Sequence, residues 1–159
     1  MNGREMNSSA NRDIQVASVA VHYLPVKMRM PLKFGAESVE SVTCIRVAIT
    51  VSGAEGRTAT GWGETPLSVT WAWPSAKLSY QERYDAMVDF CTMLAKAWVE
   101  SSETGHPVEI GHAFIESVLP DLLNRFNEDR TEPLPHLAAL ISASAFDLAR
   151  SEEHTSELQ

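Results

Sequence analysis

The sequence predicts an α+β domain, with three antiparallel strands in a meander followed by a block of helices. Three observations carry this. Residues Val39–Val51 alternate along a run of β-formers, so that Thr43, Ile45, Val47, Ile49 and Val51 share one face. The segment Ser52–Arg57 contains two glycines and separates that run from a second one, as a hairpin loop does. After residue 75 the apolar period changes from two to between three and four, which is the period of a helix with one buried face. Strands first and helices afterwards is an α+β layout. A chain of 159 residues is long enough for one domain with a real core and too short for two comfortable ones.

Met1–Asp13 is polar and expected to fray without structure. Ile14–Met28 reads as the first strand through Val16, Val19, Val21 and Tyr23, with imperfect alternation around Ser18–Val21. Pro25 points to an edge position or to the strand's end. Pro31–Gly35 reads as a loop, punctuated by proline and glycine. Val39–Val51 is the clearest strand; its odd-numbered face is the more continuously apolar and should meet the core. Thr58–Trp62 returns as a shorter third strand. Gly61–Leu67 ends the sheet, and Trp71–Pro74 forms an aromatic loop.

Ser79 and Glu82 have the spacing of a capping box that opens the first helix. Tyr84, Met87, Val88, Cys91, Leu94, Ala95 and Trp98 form its apolar stripe, which breaks at Thr104–Pro107. Ile110, Phe114, Ile115, Val118 and Leu119 mark a second helix, stopped or kinked at Pro120, beyond which Leu122, Leu123 and Phe126 continue the face. Asn127–Glu132 is a polar link. Pro135, near a first helical position, starts a third helix lined by Leu137, Leu140, Ile141, Ala145 and Leu148.

Composition excludes several classes. The chain carries a formal net charge of -8 and has no cluster of Lys and Arg, so nucleic acid is not its partner. No apolar run reaches the length of a membrane span, and the polar first thirteen residues do not form a signal peptide. Cys44 and Cys91 lack metal-ligand spacing and read as buried thiols in a reducing compartment, which predicts a cytoplasmic protein. A Gly-rich dinucleotide loop is missing. Glu109, His112 and Glu116 could share a helix face with His106 nearby, but the zinc-protease pattern is absent and they read as polar-face residues.

The last ten residues, Arg150–Gln159, resemble a common sequencing-library adapter translated in frame: AGATCGGAAGAGCACACGTCTGAACTCCAG encodes them one for one. They are accordingly expected to be an artefactual tail at 150–159, with no evolved contacts and no order beyond Ala149, although Arg150 alone is also compatible with a natural residue. On this reading the natural chain continues past Ala149.

Three segments carry a family resemblance. Pro31-Leu32-Lys33-Phe34, after a first strand, resembles the early loop of the enolase superfamily. Gly61-Trp62-Gly63-Glu64-Thr65 resembles that family's Gly-x-Gly-Glu segment after the third strand. Ala138–Ala149, ending in Asp-Leu-Ala, resembles the helix that leads into its barrel. The ordered set spans roughly residues 14–149 and looks closest to the mandelate racemase and muconate lactonizing branch. The resemblance implies an amino-terminal capping domain at 14–149, with the catalytic (β/α) barrel absent. It further implies a parent enzyme that uses Mg²⁺ to stabilise an enediolate formed by taking the proton beside a carboxylate, as a racemase, dehydratase or cycloisomerase. The partner implied is a small carboxylic acid such as a sugar acid, and the parent is implied to be a homo-oligomer. The metal ligands and the bases of that family lie in the barrel, so this chain by itself is expected to bind no cofactor and to contain no catalytic or metal residue.

The resemblance maps two specificity loops onto Met30–Ser38 and Glu64–Trp73. Phe34 is a candidate apolar wall against substrate or else a loop anchor. Trp71 and Trp73 are candidate lid residues that exclude water, or packing residues. Lys33 is a candidate partner for a substrate carboxylate, or simply a solvated lysine. Gly61 and Gly63 suit close backbone approach or positive φ, and Glu64 is expected as a polar anchor bonded to nearby backbone amides. Asp147 should contact the segment that follows its helix. The competing reading of the whole is a free-standing α+β binding or assembly module that uses the aromatic loop as its interface.

Overall fold

The structure is a computed structural model that describes residues 13–35, 37–53 and 56–156. The polar segment before residue 13, the hairpin residues Ala54 and Glu55, and the last three residues lie outside the described residues. Three strands, β1 (Ile14–Phe34), β2 (Glu37–Gly53) and β3 (Thr58–Pro66), form one antiparallel sheet in the order β1-β2-β3. A single helical turn, α1 (Val69–Ala72), leads to α2 (Tyr80–Glu100). Next come α3 (Pro107–Ala113), a π-helical turn (Phe114–Val118), α4 (Leu119–Asn127) and α5 (His136–Ser156). The fold is the predicted α+β arrangement, with the helices on one face of the sheet. Among the described residues no helix is long and apolar enough to cross a membrane.

The central strand behaves as its alternation predicts: Ile45, Val47, Ile49 and Val51 are all fully buried against the helices. The outer strands are longer than expected. β1 continues past Met28 through the predicted loop, and pairing resumes at Leu32↔Val39, Lys33↔Ser38 and Phe34↔Glu37. Its prolines are tolerated because β1 is an edge strand, and Pro31 sits where the register shifts between Lys27 and Leu32. A second shift, between Val16 and Ser18, makes Ala17 an extra residue and explains the broken alternation there. β3 runs to Pro66 rather than Trp62, because β2 offers ladder partners as far as Cys44.

The capping box at α2 forms in both directions: the Ser79 hydroxyl accepts from the Glu82 amide at 3.2 Å, and the Glu82 carboxylate accepts from the Ser79 amide at 2.8 Å. The Ser79 hydroxyl, donating to the Glu82 carboxylate at 2.7 Å, and then the Ser79 amide hold the Glu82 carboxyl below its usual range. The buried face of α2 is wider than the predicted stripe and adds Arg83, Ala86 and Phe90. Pro120 does not stop the second helix. A proline ring collides with the carbonyl four residues earlier, and the wider π turn just before it relieves that collision while the helix continues. Trp98 stacks on Phe114 at 4.0 Å and Phe90 meets Phe126 edge-on at 5.2 Å, which ties these turns to α2.

Helix α5 lies on β3 and β2 with a small-residue face, Ala138, Ala139, Ala143, Ala145 and Ala149, all buried. It does not end at Ala149: the helix continues to Ser156, since extending a formed helix adds one backbone bond per residue. Arg150 is buried, with its guanidinium donating to the Pro107 carbonyl and paired with Asp147. Asp147 thus finds its partner one turn along its own helix rather than in a later segment.

Between β1, α2 and α5 lies a buried polar cluster. Tyr23 donates to the Val88 carbonyl at 3.4 Å, and the Cys91 thiol lies within reach of Tyr23 and Ser142. Burial pushes the Cys91 thiol up to about 12, and burial followed by the neighbouring thiol pushes the Tyr23 phenol up as well. Both groups are uncharged when protonated, so the folded state keeps protons that the unfolded chain releases. Their stabilising contribution is complete below the unfolded thiol's value of 9.0 and fades as the pH climbs towards 12. The melting temperature should therefore fall through that alkaline window, and less steeply in Cys91→Ala than in the natural sequence. Parallel pH profiles for the two proteins would exclude this cluster as the cause.

Candidate functional site

The two segments mapped as specificity loops converge in the structure. The first is the far end of the β1-β2 ribbon, turned at Gly35, whose φ of 60° lies in the left-handed region that glycine tolerates. The second leaves β3 at Pro66, where the Leu67 amide still donates to the Thr43 carbonyl at 2.8 Å before the chain winds into α1. Between them is a cleft of about 70 Å³. Met28, Leu32 and Phe34 form one wall, Val39 and Val42 belong to β2, and Leu67–Trp71 with Tyr80 close the other side. Leu67 and Val69 are buried, whereas Leu32, Phe34 and Trp71 are exposed.

The candidate residues separate. Phe34 and Trp71 line the cleft; Lys33 and Trp73 do not. Strand alternation puts Lys33 on the opposite side of the ribbon from Leu32 and Phe34, and it is exposed. Trp71 is 54% exposed and Trp73 only 1%. Residues two apart on a helical turn face different ways, so the one-turn α1, where the sequence predicts a loop, sends the first indole outward and the second into the core.

Trp73 is held by Arg83, which is not among the residues the sequence singles out. Arg83 is 2% exposed and donates to the Trp73 carbonyl at 2.6 Å, to the Ser79 carbonyl at 3.2 Å and to the Glu37 carboxylate at 3.4 Å. One guanidinium thus joins the second loop, the start of α2 and the tip of the β-ribbon, the three pieces that enclose the cleft. Its signal was present: Arg83 lies four residues before Met87 and seven before Phe90, on the buried face.

The Gly-Trp-Gly-Glu segment lies inside β3. Neither Gly61 nor Gly63 is among the positive-φ glycines; both are buried. A Cβ on Gly63 would stand 2.0 Å from the Ala145 carbonyl oxygen and 2.6 Å from the Ala149 nitrogen, so its role is close approach of α5. Glu64 does not cap backbone amides. It pairs across the ladder with Arg46, at 2.7 and 2.8 Å to two guanidinium nitrogens, on the sheet face away from the helices. Trp62 occupies the same face and stacks on His22 at 6.2 Å. Burial, then the Glu64 carboxylate, pushes the Cys44 thiol up, so it is not an activated nucleophile.

The cleft has no Asp, Glu, His, Lys or Arg among its lining residues. Burial, then Tyr84, raises the Tyr80 phenol, so the one titratable group there stays neutral. Among the described residues no group of three or more His, Cys, Asp or Glu side chains could hold a metal ion. Such a cleft can bind and exclude water, and its one titratable group, the Tyr80 phenol, is held protonated by burial.

No family model and no curated protein matches the chain. Solved structures do. An enolase from Bradyrhizobium, complexed with magnesium and mandelic acid, superposes over 96% of this chain with a TM-score of 0.54 at 13% identity. At that identity the likeness is one of fold. The L-Ala-D/L-Glu epimerase of Bacillus subtilis covers 85% of the chain at 17% identity and a TM-score of 0.46. A mandelate racemase/muconate lactonizing enzyme-like protein from Rubrobacter xylanophilus covers 91% at 19% and 0.41. The match takes up 33%, 29% and 31% of those three chains, so this chain spans about a third of the length of the solved structures it resembles.

Proposed function

We propose that this domain caps the barrel of a cytoplasmic, homo-oligomeric enzyme of the mandelate racemase and muconate lactonizing type, and that its cleft helps select the substrate. The parent reaction in this reading is Mg²⁺-dependent removal of the proton beside a carboxylate, leading to racemisation, dehydration or cycloisomerisation. The observation that carries it is the convergence of Met30–Ser38 and Glu64–Trp73 on one cleft whose lining has no Asp, Glu, His, Lys or Arg. A wall that binds without reacting is what a cap contributes to a barrel that reacts. In this reading the Mg²⁺ ligands lie in the barrel; among the described residues no group of three or more His, Cys, Asp or Glu side chains could hold the ion.

The exposed surface agrees with this. Met30, Leu32, Phe34 and Trp71 stand out of the cleft side of the domain, with Met30 76% exposed. Covering a few hundred Å² of such surface would contribute several kcal/mol at roughly 25 cal/mol per Å² of apolar area.

The test is the native genomic locus, followed by expression of the full reading frame beside the 159-residue chain. With Mg²⁺ and a panel of sugar acids and other carboxylates bearing an α-proton, the long form should turn over a substrate and the short form none. The cap should also unfold at a higher temperature in the long form. A stop codon directly after Ala149 with no barrel-coding sequence, or turnover by the pure short form, overturns the proposal. In the first case a specific partner captured by cooperatively folded chain would leave the free-standing binding module as the function.

A further inference from the structure

The cleft's lining bears on the substrate class. We infer that the group it receives is an uncharged apolar terminus, alkyl or aryl, remote from the carboxylate, and not the polyhydroxylated chain of a sugar acid. The inference rests on the capping role proposed above.

Eight of the side chains around the cleft, Met28, Leu32, Phe34, Val39, Val42, Leu67, Val69 and Trp71, are hydrocarbon, thioether or indole. Three hydroxyls remain. Ser68 donates to the Pro66 carbonyl at 3.5 Å, and the Thr70 oxygen is buried without a hydrogen-bond partner, where solvent does not reach it. That leaves the Tyr80 phenol, at the edge of α2, as the donor still able to serve a ligand, beside the accepting lone pairs of Ser68. A polyol entering here would give up its water on every hydroxyl and recover at most a bond or two, which selects strongly against it. An apolar group loses nothing polar and covers Leu32, Phe34 and Trp71, which are exposed in the open cleft.

Charge leads to the same conclusion. No cation lines the cleft, and Lys33, the nearest candidate in sequence, is on the other side of the ribbon. The carboxylate is therefore recognised elsewhere, and the cleft should accept an acid and its neutral amide equally.

The experiment titrates the full 159-residue chain, followed by amide and indole NMR resonances, with 3-phenylpropionate, 3-phenylpropanamide and gluconate. The two phenyl compounds should shift resonances of Leu32, Phe34, Trp71 and Tyr80 with the same millimolar-range Kd, and gluconate should leave them in place. Phe34→Ala and Trp71→Ala should each weaken the phenyl compounds about tenfold, as loss of a few apolar contacts in a pocket does, while Lys33→Glu changes nothing. Both aromatic side chains are exposed, so neither variant depends on them for folding; unchanged resonances of the core confirm this. Gluconate binding at the same resonances as tightly as the phenyl compounds, or an acid that binds where its amide does not, overturns the inference and leaves a substrate-facing cleft standing. A cleft untouched by every compound overturns both.

Discussion

Gly63→Ala should destabilise the domain by about 3 kcal/mol or more, the upper end for overpacking a core, because the added methyl has nowhere to go. Its Cβ would lie 2.0 Å from the Ala145 carbonyl oxygen, 2.6 Å from the Ala149 nitrogen and 2.9 Å from the Leu148 Cβ. The first two are backbone atoms of α5, so no side-chain rotation relieves the contact and the helix itself must move off the sheet. That helix brings Ala145, Phe146 and Ala149 against the core, so its displacement uncovers apolar surface along its length. Gly53→Ala is the matched control. Its Cβ would meet only the Asp13 carbonyl oxygen, at 3.6 Å, and its cost should be small. Urea unfolding of the two variants beside the natural sequence measures this. Equal midpoints for all three would mean that α5 does not approach β3 as closely as described.

Arg83→Ala should cost about 3–5 kcal/mol, the range for emptying a large buried side chain's site, with the loss of a donor to a carbonyl added to it. The loss has two parts. The Trp73 carbonyl loses its donor at 2.6 Å, whereas the Ser79 carbonyl loses one at 3.2 Å but keeps the backbone amide of residue 83, and the guanidinium leaves a void beside a fully buried indole. The ion pair with Glu37 is the minor part, since that carboxylate is 46% exposed and water screens it. Glu37→Ala should therefore cost no more than about 1 kcal/mol. Arg83→Lys should fall between the two, because an ammonium group cannot present the planar fork that reaches three acceptors at once. The same loss should loosen the cleft, because the walls Arg83 joins are those carrying Phe34 and Trp71. Thermal or urea unfolding of the three variants tests the ranking; a Glu37→Ala variant as damaged as Arg83→Ala would shift the weight from the carbonyls to the ion pair.

The sequence by itself determined the features that depend on near neighbours. The alternation of Val39–Val51 set which face of β2 is buried, because side chains two apart on a strand share a side whatever the strand packs against. The Ser79–Glu82 box and most of the apolar stripe from Met87 to Trp98 were legible for the same reason, since capping and helical period are decided within four residues. Tertiary structure decided everything that needed a partner remote in the chain. Whether Pro25 and Pro31 end β1 depends on its place at the sheet edge, and position in a sheet is not a local property. Gly63 carries no mark that distinguishes a turn from a helix seat until α5, some eighty residues on, is laid across it. Glu64 finds Arg46 through strand register, and Trp71 and Trp73 part because a single helical turn forms between the sheet and α2. The cleft itself exists only where the end of a long ribbon bends over the exit of β3, and a buried arginine ties the two, because three segments far apart in sequence have no other way to meet.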